Sequence, residues 1–383
     1  MKKLFLSMMV IATMFASCSS DDDNNPGPDG GEITFEDGII SGNIDRNARV
    51  TAGRTYTLRG PVYVKSGATL TIEPGVRIEA EYSENVTNVA FLAVERGAMI
   101  NAAGTAENPI VFTSGAATPA AGQWGGIVIC GNAGTNKGAN AQAEVAGLIY
   151  GGNNNTDNSG VLSHIIIEYS GNKINDESEF NALTLYAVGN GTTVNNIFIN
   201  QVSDDGVEWF GGSVNAENLT VIGSQDDSFD WAEGWNGRVT NLYADQSAAT
   251  TYSSDSRGIE ADSNQDNPTL APVSSPTLTN LTLIGRNSTS VTSEAGMMLR
   301  RGTLGSITNV YLKDFIAGEG VVASGAESLA HFQANKVKQV RFDNVPNKGT
   351  AGTYEEDPNA TGAGNGAARP NWSTWAESHL TAN

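Results

Sequence analysis

The sequence predicts an all-β chain wound as a parallel β-solenoid, and three observations carry that expectation. First, Asp204-Asp205-Gly206-Val207-Glu208-Trp209 aligns without a gap on Asp226-Asp227-Ser228-Phe229-Asp230-Trp231, a shift of 22 residues. With loop insertions the phase runs on through Ser256-Arg257-Gly258-Ile259-Glu260-Ala261 and Glu294-Ala295-Gly296-Met297-Met298-Leu299, and back to Leu183-Thr184-Leu185. Second, one asparagine opens another apolar phrase in each unit: Asn196, Asn218, Asn241, Asn280 and Asn309. Third, 44 of the 383 residues are glycine, while 39% are hydrophobic and only 17% charged. That is more glycine than helices tolerate and too apolar for a disordered chain. A period in the low twenties made of short β runs lets each turn of chain stack on the one before.

Taken in order, residues 1–17 read as a signal peptide. Lys2 and Lys3 precede an apolar run from Leu4 to Phe15 that only Ser7 and Thr13 interrupt, too short to span a bilayer as a mature helix. The run closes on Phe15-Ala16-Ser17-Cys18, which resembles a bacterial lipobox, so Cys18 is expected to carry lipid. The alternative is an ordinary signal peptide with an incidental cysteine. Residues 18–45 then supply the lipidated cysteine, an acidic flexible tether and an N-terminal cap. Ser19-Ser20-Asp21-Asp22-Asp23 resembles the surface-export signal of Bacteroidetes lipoproteins, which implies the outer face of the outer membrane; the plain alternative is a solvated linker. With Cys18 committed, Cys130 has no partner and is expected to be a buried apolar residue.

Residues 46–346 are expected to form the coils. Strand alternation sends Val207, Phe229, Ile259 and Met297 inward, together with Leu185, Trp209, Trp231 and Leu299. Thr184, Glu208, Asp230, Glu260 and Met298 face out. Asn196, Asn218, Asn241, Asn280 and Asn309 form a structural ladder, each amide turning inward and bonding its neighbour one rung away so that a sharp corner leaves no polar group unpaired. His164 stands in the same column and is assigned a corner hydrogen bond, not metal ligation. Leu70-Thr71-Ile72, Ile110-Val111-Phe112 and Ile127-Val128-Ile129 add earlier coils, and Val337 to Phe342 adds the last. In residues 347–383 a Gly- and Asn-rich loop leads to a short amphipathic piece whose Trp372 and Trp375 are expected to cap the final coil.

Over roughly residues 50–345 the chain resembles the right-handed parallel β-helix surface lipoproteins of Bacteroidetes, within the pectin-lyase-like fold. The resemblance rests on Leu58-Arg59-Gly60-Pro61-Val62-Tyr63-Val64, Gly67-Ala68-Thr69-Leu70-Thr71-Ile72-Glu73-Pro74-Gly75, Asn108-Pro109-Ile110-Val111-Phe112-Thr113-Ser114, Trp124-Gly125-Gly126-Ile127-Val128-Ile129 and the paired Asp-Asp phrases. It implies the fold and an outer-membrane address, and leaves the activity open.

Chemistry is expected where acids crowd. Stacked strands lie only about 4.8 Å apart, so Asp204, Asp205, Glu208, Asp226, Asp227, Asp230 and Glu233 require neutralisation. Arg257, with Arg300 and Arg301 one coil on, makes an ion-pair ladder the plain answer. Ca²⁺ held by Asp204, Asp205, Asp226 and Asp227 is the second, since hard carboxylate oxygens select that ion. The third is an active site: either Glu208, Asp230 and Glu260 as outward carboxylates about 5 Å apart on adjacent coils, the spacing of a retaining glycosidase pair, or instead a lyase using Ca²⁺ with Arg257 or Arg300 as base. The Gly-His-Gly and Arg-Ile-Lys phrases of polygalacturonase-like enzymes are absent, and the only histidines are His164, His331 and His379. Trp124 and Trp235, in Gly-rich turns, are the carbohydrate-platform candidates. Net charge of −20 disfavours nucleic acid and anionic lipid headgroups. The leading function is a surface-anchored lipoprotein presenting an acidic face to glycan or to a protein of the host or cell surface. The alternatives are a Ca²⁺-dependent polysaccharide lyase or glycoside hydrolase, and a structural or adhesive spacer.

Overall fold

A computed structural model describes residues 31–380, apart from 83, 85–87, 176–177 and 292–293. The signal peptide, Cys18 and the Asp21–Asp23 run therefore lie outside the described residues. The fold is a right-handed parallel β-helix. Among the described residues, twenty-four strands hydrogen-bond into one system whose pairings are parallel, and two short antiparallel pairs stand apart from it: Ala141–Gln142 with Ile149–Tyr150, and Lys173–Asn175 with Ser178–Glu179.

The register follows the repeat. Leu183, Val207, Phe229, Ile259, Met297 and Val321 stack in one inward column, and Leu185, Trp209, Trp231, Ala261 and Leu299 in the next. All of these are essentially inaccessible and belong to one continuous core. Trp209 and Trp231 both pack on Trp235, with ring centroids 4.5 and 5.8 Å apart, arrangements worth about 0.5–1.5 kcal/mol each beyond their burial.

The asparagines form a continuous amide ladder. Asn218 donates to Asn196 at 3.0 Å, Asn241 to Asn218 at 2.8 Å, Asn280 to Asn241 at 2.9 Å and Asn309 to Asn280 at 2.8 Å. Each takes a left-handed φ between 51° and 67°, a conformation that asparagine tolerates better than most residues. The column is half-buried, not interior, because the left-handed residue turns the chain at the outer edge of the corner. His164 continues it with φ 49°, its Nδ1 3.0 Å from Ser163 Oγ.

Three expectations need correction. The first coil starts earlier than residue 46: Ile33–Thr34 pairs with Ala48–Val50 and Ile39–Ile44 with Thr55–Val64, so the assigned cap is itself strand. Between Glu319–Ala323 and Val337–Asp343 stands a helix, Ala326–Asn335, that buries Phe332 in the core. Its weak apolar periodicity hides it in the sequence. Trp372 and Trp375 do not cap the last coil. They lie along a flank with Ala363, Ala376 and Leu380, over the outward Val111, Ile166, Phe198, Ile222, Tyr243 and Ile284. Those outward apolar residues leave a stripe that only a covering segment can take out of water.

Candidate functional site

The adjoining outward flank changes character along the stack. In the earlier coils its outward residues are Ala93, Val128, Cys130 and Tyr186, covered by Ala141, Ala143, Val145, Leu148 and Tyr150 from the antiparallel hairpin. Burial pushes the Cys130 thiol up to about 12, as an inert buried residue requires. In later coils the same column becomes Thr184, Glu208, Asp230 and Glu260, then Met298. Among the described residues, three carboxylate trios bring oxygens within 4.8 Å of one another: Asp204, Asp205 and Asp226; Asp205, Glu208 and Asp230; Asp227, Asp230 and Glu260.

Three residues earlier in each coil, at the corner, runs a different column. Asn181 Oδ1 accepts the Asp205 amide N–H at 3.3 Å, Asp205 Oδ1 accepts that of Asp227 at 2.9 Å, and Asp227 Oδ1 accepts that of Arg257 at 2.5 Å. The second aspartate of each Asp-Asp phrase thus pairs the backbone of the next coil. Between the two columns the chain keeps small residues. A Cβ on Gly206 would lie 2.5 Å from the Ser228 carbonyl oxygen, and one on Gly258 2.7 Å from that of Gly296.

Neutralisation is divided along the stack. Arg257 Nη1 lies 2.5 Å from Glu260 Oε1 and 3.8 Å from Asp227 Oδ2. Arg300 reaches Glu260 at 2.6 Å and Asp262 at 3.0 Å, and Arg301 reaches Asp262 at 2.6 Å. Among the described residues no ion pair reaches Asp204, Asp205, Glu208, Asp226 or Asp230. Burial first, then the neighbouring carboxylates, holds Asp204, Asp205, Glu208 and Asp230 well above the usual carboxylate range. Asp226 is raised by burial against the opposing hydroxyl of Ser253, 2.6 Å away. One oxygen of Asp230, Oδ1, is buried without a hydrogen-bond partner.

The structure therefore brings together Asp204, Asp205, Glu208, Asp226, Asp227, Asp230, Glu260, Arg257 and Arg300. It removes Trp124 and Trp235 as carbohydrate platforms, because both are fully buried. Trp124 Nε1 donates to the Glu168 carbonyl at 2.7 Å and Trp235 Nε1 to that of Val214 at 3.2 Å; their Gly-rich turns fold the rings inward. Arg257 and Arg300 are poor bases, each locked in ion pairs, and Glu260 and Asp262 raise Arg300 against the opposing effect of burial. The outward acids are half-buried, not a solvated face. Asn181 and Asp262 complete the site and were not singled out from the sequence. Extending the aligned phrase one coil back, Asn181-Ala182-Leu183-Thr184 on Asp205-Gly206-Val207-Glu208, would have found the first.

In comparison with known proteins, the family model described as pectate-lyase like beta helix domain matches residues 42–376. No curated protein and no solved structure matches.

Proposed function

From the premise that the chain belongs to the pectate-lyase-like β-helix family, we propose that it is a surface-anchored outer-membrane lipoprotein whose acidic flank binds glycan through a divalent cation. The observation that carries this reading is the set of five crowded carboxylates, Asp204, Asp205, Glu208, Asp226 and Asp230, that no arginine or lysine pairs among the described residues. Hard, closely set oxygens with one orphaned acceptor suit Ca²⁺, which would discharge them and offer open coordination positions to sugar hydroxyls. Asp204 and Asp226 are half-buried, and this reading takes them as ligands. Calcium should raise the melting temperature of the wild-type protein and chelator should lower it, by linkage between binding and folding. The shift should vanish in Asp204→Asn, Asp226→Asn; an unchanged shift there removes these residues as ligands.

The address is tested separately. Cys18→Ala should abolish lipid labelling, and replacing Asp21, Asp22 and Asp23 with alanine should leave the protein lipidated but shielded from external protease. Continued cleavage in the second variant rules out the export signal.

One observation favours a second reading, a glycoside hydrolase. Asp230, with one unpartnered oxygen, stands opposite Glu208 on the next coil, and a carboxyl that burial raises above its usual range is what protonation of a leaving group needs. Release of reducing ends from a polysaccharide panel, lost in Asp230→Asn and Glu208→Gln, would establish it. Binding without release leaves the binding role, and neither leaves an adhesive spacer.

A further inference from the structure

Beside the acid corner lies a pocket of about 540 Å³, within the range of small-molecule sites. Its floor and one wall come from Tyr169 and segment 117–121, rich in alanine and proline. Its polar groups are the amides of Gln201 and Gln225 and the hydroxyls of Thr118, Thr250 and Thr251. The only ionisable side chain lining it is Tyr169, whose phenol burial raises. Gln225 immediately precedes Asp226 in the chain, so the pocket adjoins the candidate cation ligands.

The wall carrying Thr250 and Thr251 is fastened to that corner. Ser253 donates its backbone N–H to the Gln225 carbonyl at 2.7 Å and its hydroxyl to Asp226 Oδ1 at 2.6 Å. Gln246 Nε2 bonds the carbonyls of Asp226 and Arg257, both at 2.8 Å, and Gln201 Nε2 bonds that of Ala248 at 3.1 Å. The wall is thus held open before a ligand arrives, which lowers the ordering penalty of binding. Gln225 makes no side-chain hydrogen bond to another described residue, and neither do the hydroxyls of Thr250 and Thr251.

We infer that this pocket is a saccharide subsite for a neutral, hydroxyl-rich sugar, not for a uronate. Amides and hydroxyls donate and accept in the pattern that sugar hydroxyls return, and the apolar floor suits the C–H face of a pyranose ring. A uronate carboxylate would find no Lys or Arg in the lining, and the adjoining Arg286 is spent on backbone carbonyls, its Nη2 3.0 Å from the Ser224 carbonyl oxygen and 3.3 Å from that of Gln225. The inference rests on the glycan-binding reading and deepens it by naming the sugar class.

The test is calorimetric titration of the full chain with neutral gluco-, manno- and xylo-oligosaccharides and with oligogalacturonate, each with calcium and with chelator. At least one neutral oligosaccharide should bind, and Gln225→Ala and the pocket-filling Ala120→Trp should each weaken it about tenfold or more. Both variants should keep the wild-type melting temperature and calcium shift, which separates lost binding from lost fold. Neutral-sugar binding that falls in both variants supports the pocket whatever calcium does, and a missing calcium response then sinks the cation reading alone. Binding of oligogalacturonate only, undiminished binding in both variants, or no saccharide binding at all overturns the assignment.

Discussion

At the asparagine corner each side chain both donates and accepts, whereas at the corner formed by Asn181, Asp205 and Asp227 each aspartate, when ionised, can only accept. Both ladders tie one coil to the next. The amide ladder closes on itself: Asn196 Nδ2 bonds Asn195 Oδ1 at its start, and Asn309 Oδ1 accepts the backbone N–H groups of Thr361 and Gly362 at its end. The carboxylate ladder satisfies the backbone equally well but leaves a charge on every aspartate rung. A proton, an arginine or a cation must then discharge it. One corner is complete as folded, and the other carries a chemical demand that the coils alone do not meet.

The sharpest way to break this comparison is Asp227→Ala. It removes the acceptor of the Arg257 N–H and part of the counter-charge of a buried guanidinium, and should destabilise by about 3–5 kcal/mol in denaturant titration. Asp227→Asn keeps an acceptor and sheds the charge, so it should cost less than about 1 kcal/mol. Equal losses in the two variants would mean that charge, not hydrogen bonding, sets the role of this column.

Glu294 stands one coil beyond Ser256, in the neighbouring column that holds Asp204 and Asp226. It is 1% exposed, one of its oxygens accepts the Arg286 N–H at 2.8 Å, and the other has no partner. Burial pushes it up to about 7 against the opposing Arg286 bond and charge. A carboxyl raised on folding leaves stability intact below its unfolded value of about 4.3 and removes it progressively as pH rises through about 7. Glu294→Gln should therefore gain up to about 3 kcal/mol over wild type at pH 8 and almost nothing at pH 4, read from paired denaturation curves. A gain independent of pH would show that packing, not charge, is responsible.

At the neutral corner, Asn241→Leu should lose about 1–3 kcal/mol with no dependence on pH between 4 and 8, since it breaks two amide bonds and places leucine at φ 67°. A pH-dependent loss would erase the distinction between the ladders. The smallest effect is the coupling of Asp227 and Arg257. In a double-mutant cycle of Asp227→Asn with Arg257→Gln the pair should be less damaging than the sum by about 0.5–2 kcal/mol, and strict additivity would mean that Glu260 alone holds the arginine.

The neutral corner was legible in the sequence because its period is carried by one residue type in one place. The aligned Asp-Asp phrases likewise fixed which acids share a column, from Val207 on Phe229 to Glu208 on Asp230. Their roles were not legible: nothing in the sequence separates Asp205, which bonds the next coil, from Asp204 beside it, because the distinction is a direction in space. Trp124 and Trp235 were misread for the same reason, since a glycine-flanked tryptophan turns either way. The covering hairpin and the flank segment escaped because their partners lie far off in the chain, as Tyr243 does from the Ala367 carbonyl it bonds at 3.1 Å.

That flank segment changes how the molecule answers force. A stack in which each coil grips only its neighbours peels from an end, one coil at a time. Residues 361–380 lie across the strands from Ile110–Ser114 to Thr277–Ile284, with Trp372, Trp375 and Leu380 against the outward stripe and Gly366 bonded to Thr282. They act as a brace in parallel with the spring: tension applied to any one of these coils is shared among all of them, and the middle of the rod gives way as a block.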